Sequence, residues 1–256
     1  MRFVGCGHVS FKNLPLTRPP SKEPFGMWTK PISSIPRLLE FIAFYVGRRK
    51  KDFGYSNAEL KDRAVPTPLR ELYAYAGKWP NGSGWLLAHQ NRLVPVEDIR
   101  IENGRFAFIE ENQWCWCLGT DVRGRNPSVY YSDDVDTVSW QETGIGLIEC
   151  VRTFVMVELM FGSDIWISDA ALPASTSLLT ACRNSASAWR VLGRNLRVYD
   201  PNHHWSFFLM NDAAIIAREQ YDGGDFVYGS ANSRAGIRTL EELASQFNLE
   251  IFSRAR

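Results

Sequence analysis

The sequence lacks any long hydrophobic run. Its most apolar stretch, around Phe154–Phe161, is broken by Glu158 and is far too short to span a bilayer. It also lacks a charge excess, with 29 Lys and Arg against 28 Asp and Glu, a formal net charge of +1 over 256 residues. No strong global field therefore draws the chain to nucleic acid or to a membrane surface. Met1–Ser10 has no charged region followed by an apolar run, so no secretory signal is expected. Cysteine is sparse. Five residues make an odd count without framework spacing, which points to reduced thiols in a cytoplasm. No internal repeat or low-complexity tract is present.

What is present is the composition of a folded protein, 45% hydrophobic, 13% aromatic and 22% charged. The charge is unevenly spread. Residues 1–70 carry 13 basic against 5 acidic side chains, residues 71–150 carry 6 against 12, and residues 151–256 carry 10 against 11. A basic leading segment and an acidic middle suggest a charged partner on one side, although two solvated faces would read the same.

Five prolines, from Pro15 to Pro31, make residues 1–32 an extended leader. A helix is expected from Ser34, its cap, with Ile35, Leu38, Leu39, Ile42 and Val46 as its apolar stripe and Gly47 with Arg48–Lys51 at its end. A second starts at Thr67-Pro68 and stops at Gly77, expected to be left-handed. The period then becomes alternating. Trp85–Leu87, Arg92–Val96, Arg105–Ile109, Trp114–Leu118 and Ser128–Tyr131 read as a meander, with Asn103-Gly104 as one tight turn. A helix follows from about Thr143 to Phe161, then a possible short one at Ser177–Arg183. Strands are expected at Leu196–Tyr199, Trp205–Met210, Ala214–Ala217 and Phe226–Tyr228, and a last helix at Thr239–Phe247. The whole predicts one α+β domain over 33–256, with a central, mostly antiparallel sheet flanked by helices. Alternating aromatics place Trp85, Phe106, Phe108, Trp116 and Trp140 in its core.

Candidate chemistry is incomplete everywhere. Cys115 and Cys117 would share a face of a strand, yet no CxxC or paired His completes a zinc site. Buried small hydrophobes are the commoner role for such thiols. His203-His204, between Asp200-Pro201-Asn202 and Trp205, reads as a turn, and His89 as a loop residue. Gly223-Gly224-Asp225 and Gly144-Ile145-Gly146 lack the phosphate-binding patterns. Asp133, Asp134 and Asp136 lack the glycine and terminal glutamate of a calcium loop. Arg48–Lys51, without interleaved aromatics, reads as a helix end in water. No catalytic residue, metal site or cofactor is therefore expected. Glu110-Glu111-Asn112-Gln113 reads as a hairpin connection, with Asn112 favouring a left-handed turn and its amide and that of Gln113 satisfying backbone groups.

Several segments, taken in order, resemble the SUKH superfamily, a domain of cell-wall synthesis regulators and of many bacterial immunity proteins. Val65–Gly77 resembles its early helix. Leu86–Ile99, containing Leu93-Val94-Pro95-Val96-Glu97-Asp98-Ile99, resembles the first strand and its connection. Phe106–Gln113, followed by Trp116, resembles the strand-turn-strand centre of the branch that carries Glu-Asn-Gln, and Trp140 with the helix behind it continues the pattern. The match extends over about 35–250 and is densest at 65–142. The commoner branch carries a Gly-Gly-Asp turn at the centre instead, and the Pro-rich leader has no counterpart.

The resemblance implies a cytoplasmic, non-catalytic protein that neutralises a toxin encoded beside it by direct contact. Its expected toxin-facing surface is acidic, formed by Glu110, Glu111, Asp133, Asp134 and Asp136 and complementary to a basic, nuclease-like cleft. Asn112, Gln113 and Trp116 are its expected structural motif. No nucleic acid, membrane or cofactor enters this reading. The alternatives are a regulatory scaffold, or a small hydrolase using Cys117 or His203 with Glu111.

Overall fold

The first helix starts where the sequence places it, with proline in its first turn. The computed structural model describes residues 32–47, 49–81, 84–163, 165–169, 189–194, 204–209, 214–221, 224–247 and 249–253. The expected leader, the helix at 177–183, the strand at 196–199 and His203 lie outside them, apart from Ile32, which is buried. Helix α1 spans Ile35–Val46 with Pro36 in its first turn, and buries Ile35, Leu38, Phe41, Ile42 and Tyr45. Ser34 stands at the cap, but its hydroxyl makes no capping bond; its carbonyl accepts from the Leu38 N–H. A short helix α2, Asn57–Leu60, is closed by a reciprocal capping box between Ser56 and Glu59.

Helix α3, Thr67–Ala76, buries Pro68, Leu69, Leu72, Tyr73 and Ala76. Gly77 ends it with φ −62°, so the expected left-handed cap is not formed. Glycine is needed there for space: a Cβ would lie 2.8 Å from the Tyr55 ring. The basic run after α1 is also put to use. Arg49 donates to the carbonyls of Ala74 and Tyr75, the last turn of α3, and lies over the Tyr75 ring.

The described residues divide into two compact units, those within 32–162 with those within 192–205, and those within 163–191 with those within 206–253. In the first, a small hairpin of β1 (Pro80–Asn81) and β2 (Gly84–Trp85) precedes a five-stranded antiparallel sheet. Its strands are β3 (Asn91–Leu93), β4 (Arg105–Glu111), β5 (Cys117–Asp121), β6 (Ser128–Ser132) and β7 (Gln141–Gly146), paired in chain order. Asn103 and Gly104, with φ of 52° and 80°, make the expected two-residue turn before β4. The helix expected from Thr143 starts later, as α4 at Leu147–Phe161, because Gln141–Gly146 pairs with β6. Its first turn is capped from a distant loop, where the Asn126 side chain accepts from the Ile148 N–H.

One face of this sheet packs on helices. Leu93, Phe106, Ile109, Leu118, Val129 and Tyr131 are buried there, as are Leu147, Val151, Phe154 and Val155 of α4. Each such side chain contributes about 1.5–3 kcal/mol by leaving water. Glu158, fully buried on α4, accepts from the N–H groups of His89, Gln90 and Asn91 and so ties the helix to the entry of β3. Trp85 departs from expectation. It is 48% exposed on the β1–β2 hairpin, where the turn that follows turns Leu86 and Leu87 inward instead.

A six-stranded sheet, most of whose residues belong to the second unit, has the order β13-β8-β12-β11-β10-β9. These are β8 (Ile165–Asp169), β9 (Trp189–Arg194), β10 (His204–Leu209), β11 (Ala214–Tyr221), β12 (Gly224–Ala231) and β13 (Glu250–Ser253). The expected short strands at 214–217 and 226–228 are parts of a longer hairpin in which Tyr221 faces Gly224. Helix α5, Arg234–Phe247, starts earlier than expected, at a Ser233 hydroxyl that accepts from the Gly236 N–H. It lays Ile237, Leu240, Leu243 and Ala244 against Phe208, Ile216 and Val227. The α+β class expected from the sequence holds, and no described helix is long and apolar enough to cross a membrane.

Candidate functional site

The other face of the five-stranded sheet carries charge and aromatic rings. A bulge places them there. Ala107 faces Gly119 and Ile109 faces Leu118, so Phe108 is an extra residue in β4. Without it, Arg105 and Glu110 would point to opposite faces; with it, both stand on the outer one, opposite Asp121 and Cys117. Arg92 of β3 pairs with Glu110, and Arg105 with Asp121 at 3.1 Å. The Arg105 guanidinium also lies 3.7 Å from the centre of the Tyr130 ring, whose hydroxyl donates to Asp121.

The β6–β7 connection folds back across this face. Ser132 holds it, donating to the Asp134 carbonyl and accepting from the N–H groups of Asp134 and Ser139. Trp140, expected in the core, instead lies half-buried on this outer face against Gly119, where a Cβ would stand 2.5 Å from its ring. Glycine in mid-strand is the seat of that indole. Between this connection and the β3–β4 connection runs a groove of about 370 Å³. Ala107 and Arg105 line it from β4, Glu97, Asp98, Arg100 and Glu102 on one side, and Val135, Asp136, Val138 and Trp140 on the other. Trp114 also lines it. It is 56% exposed, has φ 63°, and stacks its ring 4.7 Å from the Arg92 guanidinium.

The expected acidic residues are therefore not equivalent. The β4–β5 and β6–β7 connections leave the same end of the sheet, because Glu110 faces Cys117 and Cys117 faces Ser132. Glu110 is neutralised by Arg92. The Glu111 carboxylate accepts from the N–H groups of Gln113 and Cys115, and that of Asp134 from Asp136 and Thr137, so both shape their own turns. Asp133 and Asp136 stand exposed. Asn112 and Gln113 are exposed on the turn, but the left-handed residue is Trp114 rather than Asn112. Trp116, 7% exposed, packs near Tyr131.

Cys115 and Cys117 do not share a strand face. β5 begins only at Cys117, which leaves Cys115 exposed in the turn. Among the described residues, no group of His, Cys, Asp and Glu is arranged to hold a metal. Burial, with the negative charges of Glu110 and Asp134, pushes the Cys117 thiol up to about 12, so it supplies no thiolate near neutrality. The sequence signalled the charged residues but not the bulge, the groove, or the roles of Trp114 and Trp140. With this geometry in hand, comparison with known proteins adds no relative: no family model, curated protein or solved structure matches the chain.

Proposed function

We propose that this chain is an immunity-type protein of the SUKH kind, which binds a toxin domain encoded beside it and blocks it by contact alone. The observation that supports this most directly is the outer sheet face, grooved, charged and bearing an exposed tryptophan where a core-facing surface would be apolar. Exposed aromatics beside paired charges are the composition of binding hot spots. Free thiols at Cys115, Cys117 and Cys150 suit a reducing, cytoplasmic setting. The raised Cys117 thiol speaks against the hydrolase alternative at that residue.

Association runs through the exposed carboxylates at the loop end, with Asp133 and Asp136 steering a basic cleft. The test is co-purification with the product of the neighbouring gene, followed by Asp133→Lys and Asp136→Lys together. Asp134 is left intact because it holds the loop. The double variant is expected to fold normally and to associate more slowly at low salt. Unchanged association and full protection of cells would remove this surface from the reading, and failure of the intact chain to bind or protect would remove the reading itself.

A further inference from the structure

The groove's charges do not cancel. Arg92 is taken up by Glu110 and Arg105 by Asp121, while Glu97 accepts from the Tyr55 hydroxyl. That leaves Arg100 against the exposed carboxylates of Asp98, Glu102 and Asp136 on the two walls. The excess is acidic, which repels phosphate and attracts cations. Its volume suits a few side chains of an inserted loop and excludes a folded domain. Trp114 offers an aromatic surface over half exposed, and this same face already holds two guanidinium groups over rings, Arg92 at Trp114 and Arg105 at Tyr130.

We infer that the groove receives an arginine-bearing loop of a protein partner, its guanidinium meeting Asp98, Glu102 and Asp136 and stacking beside Trp114. Charge complementarity selects the cation, and the planar guanidinium is the cation that both pairs with carboxylates and stacks on indole. The inference rests on the reading of the chain as a protein that binds by contact, and narrows where and with what chemistry.

The test uses the full chain and a synthetic peptide alternating Gly and Arg, with a Gly and Glu peptide as its counterpart. Saturable movement of the Trp114 and Trp140 indole N–H signals in NMR is expected with the Arg peptide only. The D98N/E102Q/D136N variant, and separately W114A, should bind it roughly tenfold more weakly. A control, D52N/D62N/E242Q, removes the same charge from exposed positions that do not line the groove and should bind as the native chain does. W114A changes no charge, so it decides the matter if the triple variant is unstable. Equal response to both peptides, no response at the indoles, or equal loss in the control overturns the inference. No toxin is present in this assay, so a flat result leaves toxin neutralisation standing, while peptide binding without toxin protection sinks only the functional reading.

Discussion

The two faces of the five-stranded sheet are made by the same strands and obey different rules. The inner face buries Phe106, Leu118 and Val129 against α4 and its neighbours, and its order comes from the exclusion of water. The outer face holds Arg92, Glu110, Arg105, Asp121 and Tyr130 in ion pairs and ring contacts that water can reach. Surface pairs of that kind contribute little to stability. The comparison teaches that apolar burial and solvent-reached polar pairing are separated across the thickness of one sheet. Substitutions on the two faces should therefore differ in what they damage.

The largest effect belongs to the inner face. Phe106→Ala should destabilise the protein by about 3–5 kcal/mol, and Trp116→Ala, on the turn side of β5, by a comparable amount. Denaturant midpoints measure both; a midpoint unchanged by Phe106→Ala would contradict the placement of the core. The next effect tests how the outer face is built. Gly119→Ala puts a methyl group into the space of the Trp140 ring, at a cost of about 1–3 kcal/mol. Trp140 should move, and with it the wall of the groove, so the variant should lose the Arg-peptide response more than its modest loss of stability explains. A variant with native stability and an unmoved Trp140 indole signal would show that the close contact is not formed.

The turn between β4 and β5 supplies a comparison of two thiols. Cys115 is exposed and Cys117 is buried beneath the loop that crosses the outer face, its Sγ donating to the Asp134 carbonyl. Brief alkylation at neutral pH with peptide mapping should label Cys115 and spare Cys117 and Cys150. The fold keeps the Cys117 proton that an unfolded chain releases near 9, and holds it up to about 12. Its contribution to stability is therefore complete below about pH 9 and is lost as pH rises from there toward 12. Labelling of Cys117 at the rate of Cys115 at neutral pH would mean that the loop does not cover it.

Local signals carried the elements and long-range ones carried the site. Pro36, Pro68 and the Asn103-Gly104 turn act through their own backbones, so α1, α3 and the hairpin before β4 were legible from neighbouring residues. β5 starts later than composition predicts because Trp114 and Cys115 have strand composition, while Glu111 accepts from the Gln113 and Cys115 N–H groups and holds them in a turn. Alternation also hides the bulge at Phe108, and with it the common face of Arg105 and Glu110. Glu158 reads as an interruption of an apolar run, whereas its three N–H donors lie at His89–Asn91, far away in sequence. β8 pairs with β12 and β13, partners that no local pattern names.

The smallest stability effect is expected at Trp114, an exposed ring. Trp114 combines a left-handed backbone with a side chain whose main described contact is Arg92. For an L-residue that conformation costs about 1–2 kcal/mol, which glycine does not incur. The Arg92 contact returns about 0.5–1 kcal/mol at an exposed site. Trp114→Ala loses the contact and keeps the strain, so it should destabilise slightly. Trp114→Gly loses the contact and releases the strain, so it should match or exceed native stability and stand about 1 kcal/mol above the alanine variant. Thermal or denaturant unfolding of the pair decides this, and an alanine variant as stable as the glycine one would show that the turn is not strained. If the order holds, the fold gains nothing from tryptophan at this position, which is the condition that the proposed binding role of the ring has to meet.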